Sequence, residues 1–436
     1  MTHSVTIDRS RCCGCTQCLQ VCPTEAIRVE RSRAVILADR CVDCGRCVGA
    51  CPYHAVGVSC DELSAQKNYE FNVALVDTVL YGQFENLTDP NVVLEGLLKI
   101  GFDDVFEVGE AAEMMTLRFR EEDAAVWKGV YPLISTDCPA SVNLVRQEYP
   151  ELTENLAPTI APFELAAILA RRAAEKKTGL PPERIGIGYI SPCSARVTQA
   201  RFPTGLSERV VDYVLSMREV YVALLSPMKK VGTPRPLSRT GKLGMNWSRA
   251  GGQSANLHPR NCLNVDGADS VLAVLDYLED GKLASADYVE LTPCVQGCFG
   301  GCLTVDNAFN AKLKMRHLID PLPASAAVVP EDLDSLLAPT AAVTEIEQET
   351  DFASALRQRA RAEEILRTLP GFDCGSCGAP SCRAFSGDVA SGAAPVEDCI
   401  YNIIKMMRGE NADHSQEDDA FVPPTFRRPL EEGEDQ

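Results

Sequence analysis

Three separated stretches decide the fold: Ser135-Thr136-Asp137-Cys138-Pro139, Ser191-Pro192-Cys193-Ser194-Ala195-Arg196, and Glu290-Leu291-Thr292-Pro293-Cys294, which runs on through Gly297-Cys298. Each follows a short apolar run that reads as a strand, at residues 130–135, 185–190 and 288–291. A helix-like stretch follows the first and third loops, with Pro139 where a first-turn proline belongs. In an open α/β sheet, loops beyond the carboxyl ends of the strands line a crevice. Helix N-termini there offer N–H groups and positive dipole ends to an anionic group. Four thiolates from Cys138, Cys193, Cys294 and Cys298 converging on such a crevice suit a cubane iron–sulfur cluster.

Around these loops, residues 72–318 alternate strand and helix candidates. Further strands are expected at 73–76 and 105–108, and helices at 91–100, 144–149, 162–176, 210–225, 270–278 and 308–318. Residues 227–252, rich in Gly, Pro, Lys and Arg, read as a long surface excursion anchored by Trp247. Cys262 opens a strand candidate and is assigned no ligand role.

Upstream, Cys12-x2-Cys15-x2-Cys18-x3-Cys22-Pro23 recurs as Cys41-x2-Cys44-x2-Cys47-x3-Cys51-Pro52. A four-cysteine zinc ribbon does not run twice in this pattern. The repeat resembles the bacterial two-cluster ferredoxins, in which three close cysteines wrap one cubane and the fourth of each run reaches the other. The resemblance assigns Cys12, Cys15, Cys18 and Cys51 to one cluster and Cys41, Cys44, Cys47 and Cys22 to the second. Cys13 and Cys60 are left as ordinary thiols.

The chain has 436 residues, twenty cysteines and a net charge of −19. Its length calls for more than one domain. The charge argues against nucleic acid or an anionic membrane as partner, since both would repel it. No apolar run approaches membrane-spanning length. Met1-Thr2-His3-Ser4 leads directly into the first cysteine run, so reduced, metal-binding cysteines in the cytoplasm are expected rather than a disulfide framework.

Beyond residue 321 the chain turns rich in Ala and Pro to 345, read as a linker. A helix is expected at 348–368, stopped by Leu369-Pro370-Gly371. Cys374-x2-Cys377-x4-Cys382 follows, with Cys399 further on. The phrase from Leu369 to Cys382 resembles the small 4Fe–4S domain of corrinoid iron–sulfur proteins, which would make Cys374, Cys377, Cys382 and Cys399 the ligands of a further cluster. The acidic tail from 409 is expected to be disordered.

Taken together, the ferredoxin-like start and the central loops resemble the FeFe-hydrogenase family over roughly residues 1–320, closest to its sensory, low-activity branch. Leu80-Tyr81-Gly82-Gln83-Phe84, Gly297-Cys298-Phe299-Gly300-Gly301 and Leu303-Thr304-Val305-Asp306-Asn307 agree with it. The resemblance implies a multi-domain α/β protein. Its parts would be a two-cluster ferredoxin-like domain (1–62), an H-cluster-type α/β domain of two lobes (68–321), the linker (322–345), a helix with a small helical 4Fe–4S domain (346–408) and the tail (409–436). It places a cubane on Cys138, Cys193, Cys294 and Cys298, with Cys298 bridging to a two-iron centre carrying carbonyl and cyanide ligands. Four 4Fe–4S clusters in all would then be present.

The departures from the family are informative. Asp137 stands where active hydrogenases carry a proton-relaying cysteine. Either it relays protons with a raised pKa, or it bonds the free N–H groups of the following helix. Arg196 replaces a lysine that donates to a cyanide, an exchange that is not conservative at a snug site. It either still donates or fills the space of the two irons. Ser191 and Thr292, beside Pro192, replace methionines of the pocket, and Asp77-Thr78 replaces a small-residue–proline step. Cys302 is an unusual extra thiol.

The implied activity is reversible hydrogen oxidation and proton reduction, at low turnover or as a hydrogen or redox sensor. Catalytic roles would fall to Asp137, Arg196 and Cys298, and Thr78, Ser191, Pro192 and Thr292 would line the cofactor. Electrons would pass through the clusters to a redox protein partner, since no dinucleotide fingerprint appears. The oligomeric state is left open. The alternative is an electron-transfer or redox-sensing protein that keeps the cubanes and lacks the two-iron centre. A third, weaker reading is a cluster-assembly scaffold.

Overall fold

The computed structural model describes residues 3–257, 260–341 and 352–408. The strands in chain order are β1 (Val5–Ile7), β2 (Ile27–Glu30), β3 (Arg33–Ile36), β4 (Val56–Val58), β5 (Phe71–Val76), β6 (Asp104–Glu107), β7 (Leu133–Ile134), β8 (Ile185–Ser191), β9 (Tyr213–Ser216), β10 (Cys262–Asp266) and β11 (Tyr288–Thr292). The chain divides into two compact units. One comprises Met1–Arg11 with Leu37–Ile346, the other Cys12–Ile36 with Glu347–Gln436.

The first unit is α/β and holds two parallel sheets, β6-β5-β8-β9 and β10-β11-β7. Its central strand β8, Ile-Gly-Ile-Gly-Tyr-Ile-Ser, is buried at every position, as a strand covered on both faces must be. Gly186 and Gly188 leave room there for the rings of Tyr69 and Tyr213. Helices Val108–Phe119, Pro162–Thr178 and Ser194–Arg201 pack on the larger sheet through an apolar core that includes Phe163 and Tyr189. These two rings stack at 4.9 Å, an arrangement worth about 0.5–1.5 kcal/mol beyond burial. Tyr149, Val271 and Leu275 lie in the core of the smaller sheet.

Three expectations are corrected here. The helix expected at 210–225 starts only at Met217 and runs to Met228, because Tyr213–Ser216 pair with β8 as the edge strand β9. Helices follow the first and second loops, Pro139–Glu148 and Ser194–Arg201, whereas the third gives only a tight turn at Cys298–Gly300. Gln296 and Gly297 take left-handed φ values of 66° and 71°, and Gly300 and Gly301 lie against the carbonyls of Val295 and Pro192. The chain turns there and leaves the short Cys298–Gly300 turn in an extended backbone at Gly301, φ −62° and ψ 146°, so no α-helix follows. Residues 227–252 are not a surface excursion throughout. From Arg239 the segment is drawn inward because buried carboxylates take its amides: Arg239 N–H donates to Glu107 and Gly241 N–H to Glu113, both at 2.7 Å. Met245 and Trp247 are then buried.

The stretch read as a linker also differs from expectation up to residue 341. Glu113 accepts hydrogen bonds from Ser325, Ala326 and Ala327, and Leu333 and Leu337 join the core. Residues 342–345, the start of the expected 348–368 helix and the tail from 409 lie outside the described residues.

The second unit joins the β2–β3 hairpin to the helices Phe352–Leu366, Cys382–Ser391 and Ile400–Arg408. The sequence repeat is visible in the backbone of each run. Positive φ recurs at Gly14 and Asp43, Thr16 and Gly45, Glu25 and His54. The amide of Ala26 donates to Cys22 Sγ at 3.2 Å, and that of Ala55 to Cys51 Sγ at 3.3 Å. Among the described residues no helix is long and apolar enough to cross a membrane.

Candidate functional site

Cys138, Cys193, Cys294 and Cys298 all lie beyond the carboxyl ends of parallel strands in the first unit. Cys138 follows β7 and precedes the Pro139–Glu148 helix, Cys193 follows β8 and precedes Ser194–Arg201, and Cys294 and Cys298 follow β11. Hydrogen bonds stitch the loops together. Ser141 Oγ donates to the Leu291 carbonyl at 2.7 Å, Leu303 N–H to Pro192 at 2.9 Å, and Cys298 N–H to Ser248 at 2.9 Å. Ser191 Oγ donates to the Cys193 carbonyl at 2.9 Å, and Thr292 Oγ1 to that of Val265 at 3.4 Å. Thr78 Oγ1 donates to Ser248 Oγ at 3.1 Å, which in turn donates to Asp77.

The four thiols are brought together. Burial raises the pKa of Cys294, and repulsion from Cys193, Cys138 and Cys298 raises it further. Burial also pushes up Cys138, Cys193 and Cys298, opposed for Cys193 and Cys298 chiefly by the Arg196 cation. Four such thiols stay deprotonated together only if cationic metal shares the space. Each cysteine keeps some accessible surface, while Ser135, Asp137, Ser191, Ser194, Arg196 and Thr292 of the same loops are buried. Among the described residues the one trio of ligand atoms tight enough for a single ion is His3, Cys41 and Asp43. Four cysteines within electrostatic reach of one another are the donor set that a cubane takes.

Beside Cys298 lies a buried charge network. Arg196 and Asp137 are 2% and 6% exposed. Arg196 Nη2 donates to Asp137 Oδ1 at 2.9 Å and lies 3.9 Å from Cys298 Sγ. Its guanidinium sits 5.6 Å from the centre of the Phe163 ring. Nη1 is buried and has no hydrogen-bond partner. Asp137 Oδ2 accepts from Gln253 Nε2 at 2.9 Å, and Gln253 Oε1 accepts from Ser135 Oγ and Tyr288 OH. No side chain caps the Pro139–Glu148 helix, so the Asp137 carboxylate faces Arg196 and Gln253 rather than the helix amides. Asp77 accepts from Val79 N–H, Ser248 and Tyr189, and burial raises its pKa. Glu164 is raised to about 7, again first by burial. Gln253, Ser248, Glu164 and Tyr189 escaped the sequence reading, since no local motif marks them.

The Cys41–Cys51 run abuts this site within the same unit. Asp43 accepts from the amides of Ser4 and Val5 and from Thr198 Oγ1, while Ser194 Oγ donates to the Asp43 carbonyl at 2.6 Å. Cys302 Sγ lies 3.5 Å from Ser194 Oγ and close against Gly45. Cys51 has a lowered pKa: burial raises it, but the amides of Ala55, Val56, Tyr53 and His54 outweigh burial. The second unit holds Cys12, Cys15, Cys18 and Cys22 together with Cys374, Cys377, Cys382 and Cys399. There Cys377 lies within electrostatic reach of Cys374 and Cys399, and Cys382 and Cys399 share its apolar cluster.

Comparison with known proteins gives the following likenesses. The family model described as iron only hydrogenase large subunit, C-terminal domain, matches residues 73–232. A 4Fe-4S dicluster domain model matches 4–52, and an Fe-S cluster model matches 369–401. Iron hydrogenase 1 of Clostridium pasteurianum is 24% identical over 132 residues, 29% of this chain and 23% of that protein. The chain thus spans about a quarter of the length of this curated relative, 23%. Among solved structures, a variant of FeFe-hydrogenase HydA1 from Chlamydomonas reinhardtii aligns with a TM-score of 0.47 at 14% identity, covering 65% of this chain and 98% of that one. A HydA structure described as revealing stepwise H-cluster assembly gives 0.47 at 15%, with the same coverage of 65% and 98%. Both structural likenesses are loose. The chain is an FeFe-hydrogenase-like protein of mixed α/β fold. It is an iron–sulfur protein whose hydrogenase-type segment lies, in sequence, between a dicluster segment and a C-terminal Fe–S segment.

Proposed function

We propose that this chain interconverts hydrogen with protons and electrons, slowly or as a hydrogen or redox sensor, at a cubane on Cys138, Cys193, Cys294 and Cys298 adjoined by a two-iron centre. The observation that carries the reading is Arg196 Nη1, a buried donor without an acceptor beside Cys298 Sγ. Leaving such a donor unpaired costs about 1–3 kcal/mol or more, so an acceptor belongs in that space. An anionic, cyanide-bearing centre beside Cys298 would supply one, and when bound it would supply an open Lewis-acidic metal site for hydrogen.

The chain's own residues then do the rest. Arg196 offers Nη1 to the anionic centre, and Asp137 holds Nη2. Gln253, fixed by Ser135 and Tyr288, fixes Asp137 in turn. Asp137 takes the two protons of each hydrogen one after the other on oxidation, passing the first on before the second, and returns them on reduction. Thr78, Ser191, Pro192 and Thr292 form the surrounding wall. A cubane held by the central cysteines and one held by the Cys41–Cys47 run would supply the path for two electrons per hydrogen, and the hydrogen bond from Ser194 Oγ to the Asp43 carbonyl fastens the second run to the Cys193 loop. A protein electron carrier of the ferredoxin type is the partner in this reading, in the cytoplasm.

The test is hydrogen uptake with an artificial dye by the fully matured protein. Uptake should exceed that of protein carrying cubanes alone, and Asp137→Ala should slow it about 10²–10⁴-fold. No uptake by matured protein would refute the reading. A second reading rests on the buried carboxylates of Asp77, Asp137 and Glu164. They repel an anionic centre and favour a relay that keeps the cubanes and does not touch hydrogen.

A further inference from the structure

The first cysteine run and the C-terminal cysteines belong to one compact unit, and they touch at the residues next to their thiols. Leu19, next to Cys18, comes within 3.8 Å of where a Cβ on Gly375 would stand, next to Cys374. Val29 N–H donates to the carbonyl of Gly378 at 2.8 Å, next to Cys377. Gly378 holds φ +84° and lies so close to the Val29 carbonyl that no side chain fits between them. Ser381, next to Cys382, donates to Glu25 Oε1 at 2.7 Å while accepting from Ala384 N–H at 3.0 Å. Arg28 clamps the joint, its Nε and Nη2 on the two oxygens of Asp388 at 2.5 and 3.0 Å.

We infer that the C-terminal cluster and the cluster held by Cys12, Cys15 and Cys18 form one electron-exchanging pair, with the contact of Leu19, Val29 and Arg28 on Gly375, Gly378 and Asp388 as its joint. The C-terminal motif is then a member of the relay wired to the first run. The exchange moves one electron: one cubane is oxidised, the other reduced, and no proton or bond changes place. An external one-electron carrier sets the level of the pair. This rests on reading both motifs as 4Fe–4S sites and does not depend on hydrogen chemistry.

The full chain, reconstituted anaerobically and reduced stepwise with dithionite, tests it by pulsed electron paramagnetic resonance and iron counting. The reduced C-terminal cluster should show spin–spin splitting and fast relaxation. Cys12→Ser with Cys15→Ser should abolish both while the C-terminal signal persists. Arg28→Ala should weaken the splitting with iron content unchanged, and the exchange Arg28→Asp with Asp388→Arg should restore it. A C-terminal signal indifferent to loss of the first cluster would overturn the pairing while leaving the iron–sulfur reading intact. An iron count about four short with no C-terminal signal would overturn both, because each cubane carries four irons.

Discussion

Arg28 and Arg196 each pair with a shielded aspartate, one in the C-terminal unit and one beside the central cysteines. Arg28 engages Asp388 with two nitrogens, and its Nη1 donates to the carbonyls of Glu25 and Ile27. Every nitrogen is satisfied, and Asp388 keeps 20% of its side chain exposed. Arg196 engages Asp137 with one nitrogen, leaves Nη1 without a partner and stands beside a thiol, with both side chains almost wholly buried. The first pair is complete in itself and fastens two pieces of chain. The second leaves a buried donor open, and in the proposed reading that donor serves the two-iron centre.

The largest expected effect separates the two pairs by stability. Arg196→Ala leaves Asp137 buried and uncompensated near Asp77 and Glu164, and should cost about 3–5 kcal/mol. Arg28→Ala leaves Asp388 a route to water and should cost about 1–2 kcal/mol. Anaerobic urea titrations of both variants give the comparison, and equal losses would break it.

The next effect concerns pH. Glu164, 1% exposed, has its pKa raised by burial from 4.5 to about 7. Between these values the folded state binds the extra proton. Stability is therefore full below about pH 4.5 and lost as pH rises to about 7, by up to about 3 kcal/mol. Glu164→Gln should flatten that slope, measured as melting temperature against pH. An unchanged slope would assign it elsewhere.

Salt gives the smallest effect. Raising ionic strength to 1 M, where the Debye length is about 3 Å, should shrink the cost of Arg28→Ala by a few tenths of a kcal/mol. It should leave that of Arg196→Ala unchanged, because that pair is shielded from solvent ions. Urea titrations repeated at high salt check this.

What could be read from sequence was what local chemistry dictates. The cysteine spacing announced a repeat whose backbone turns recur at Gly14 and Asp43, Thr16 and Gly45, Glu25 and His54. Pro139 marked a helix start, and the apolar runs placed β7, β8 and β11 beneath their cysteines. The α/β class and the hydrogenase likeness followed from these. What stayed hidden depends on partners distant in sequence. Gln253 reaches Asp137 across 116 positions, and Glu107 and Glu113 draw in residues 239–241 from more than a hundred positions away. Nothing local in 227–252 tells that its amides meet buried carboxylates, so its composition read as surface. Likewise the glycines after Cys294 were visible, but the turn they impose depends on contacts with Val295 and Pro192.

The most direct test is infrared spectroscopy of the chain matured with its two-iron cofactor, beside the same preparation of Arg196→Ala. The expected result is a set of carbonyl and cyanide bands, with the cyanide bands shifted when the Nη1 donor is removed. Absence of all such bands, in protein that still holds about sixteen irons in four cubanes, would contradict the proposed hydrogen site and leave a relay in its place.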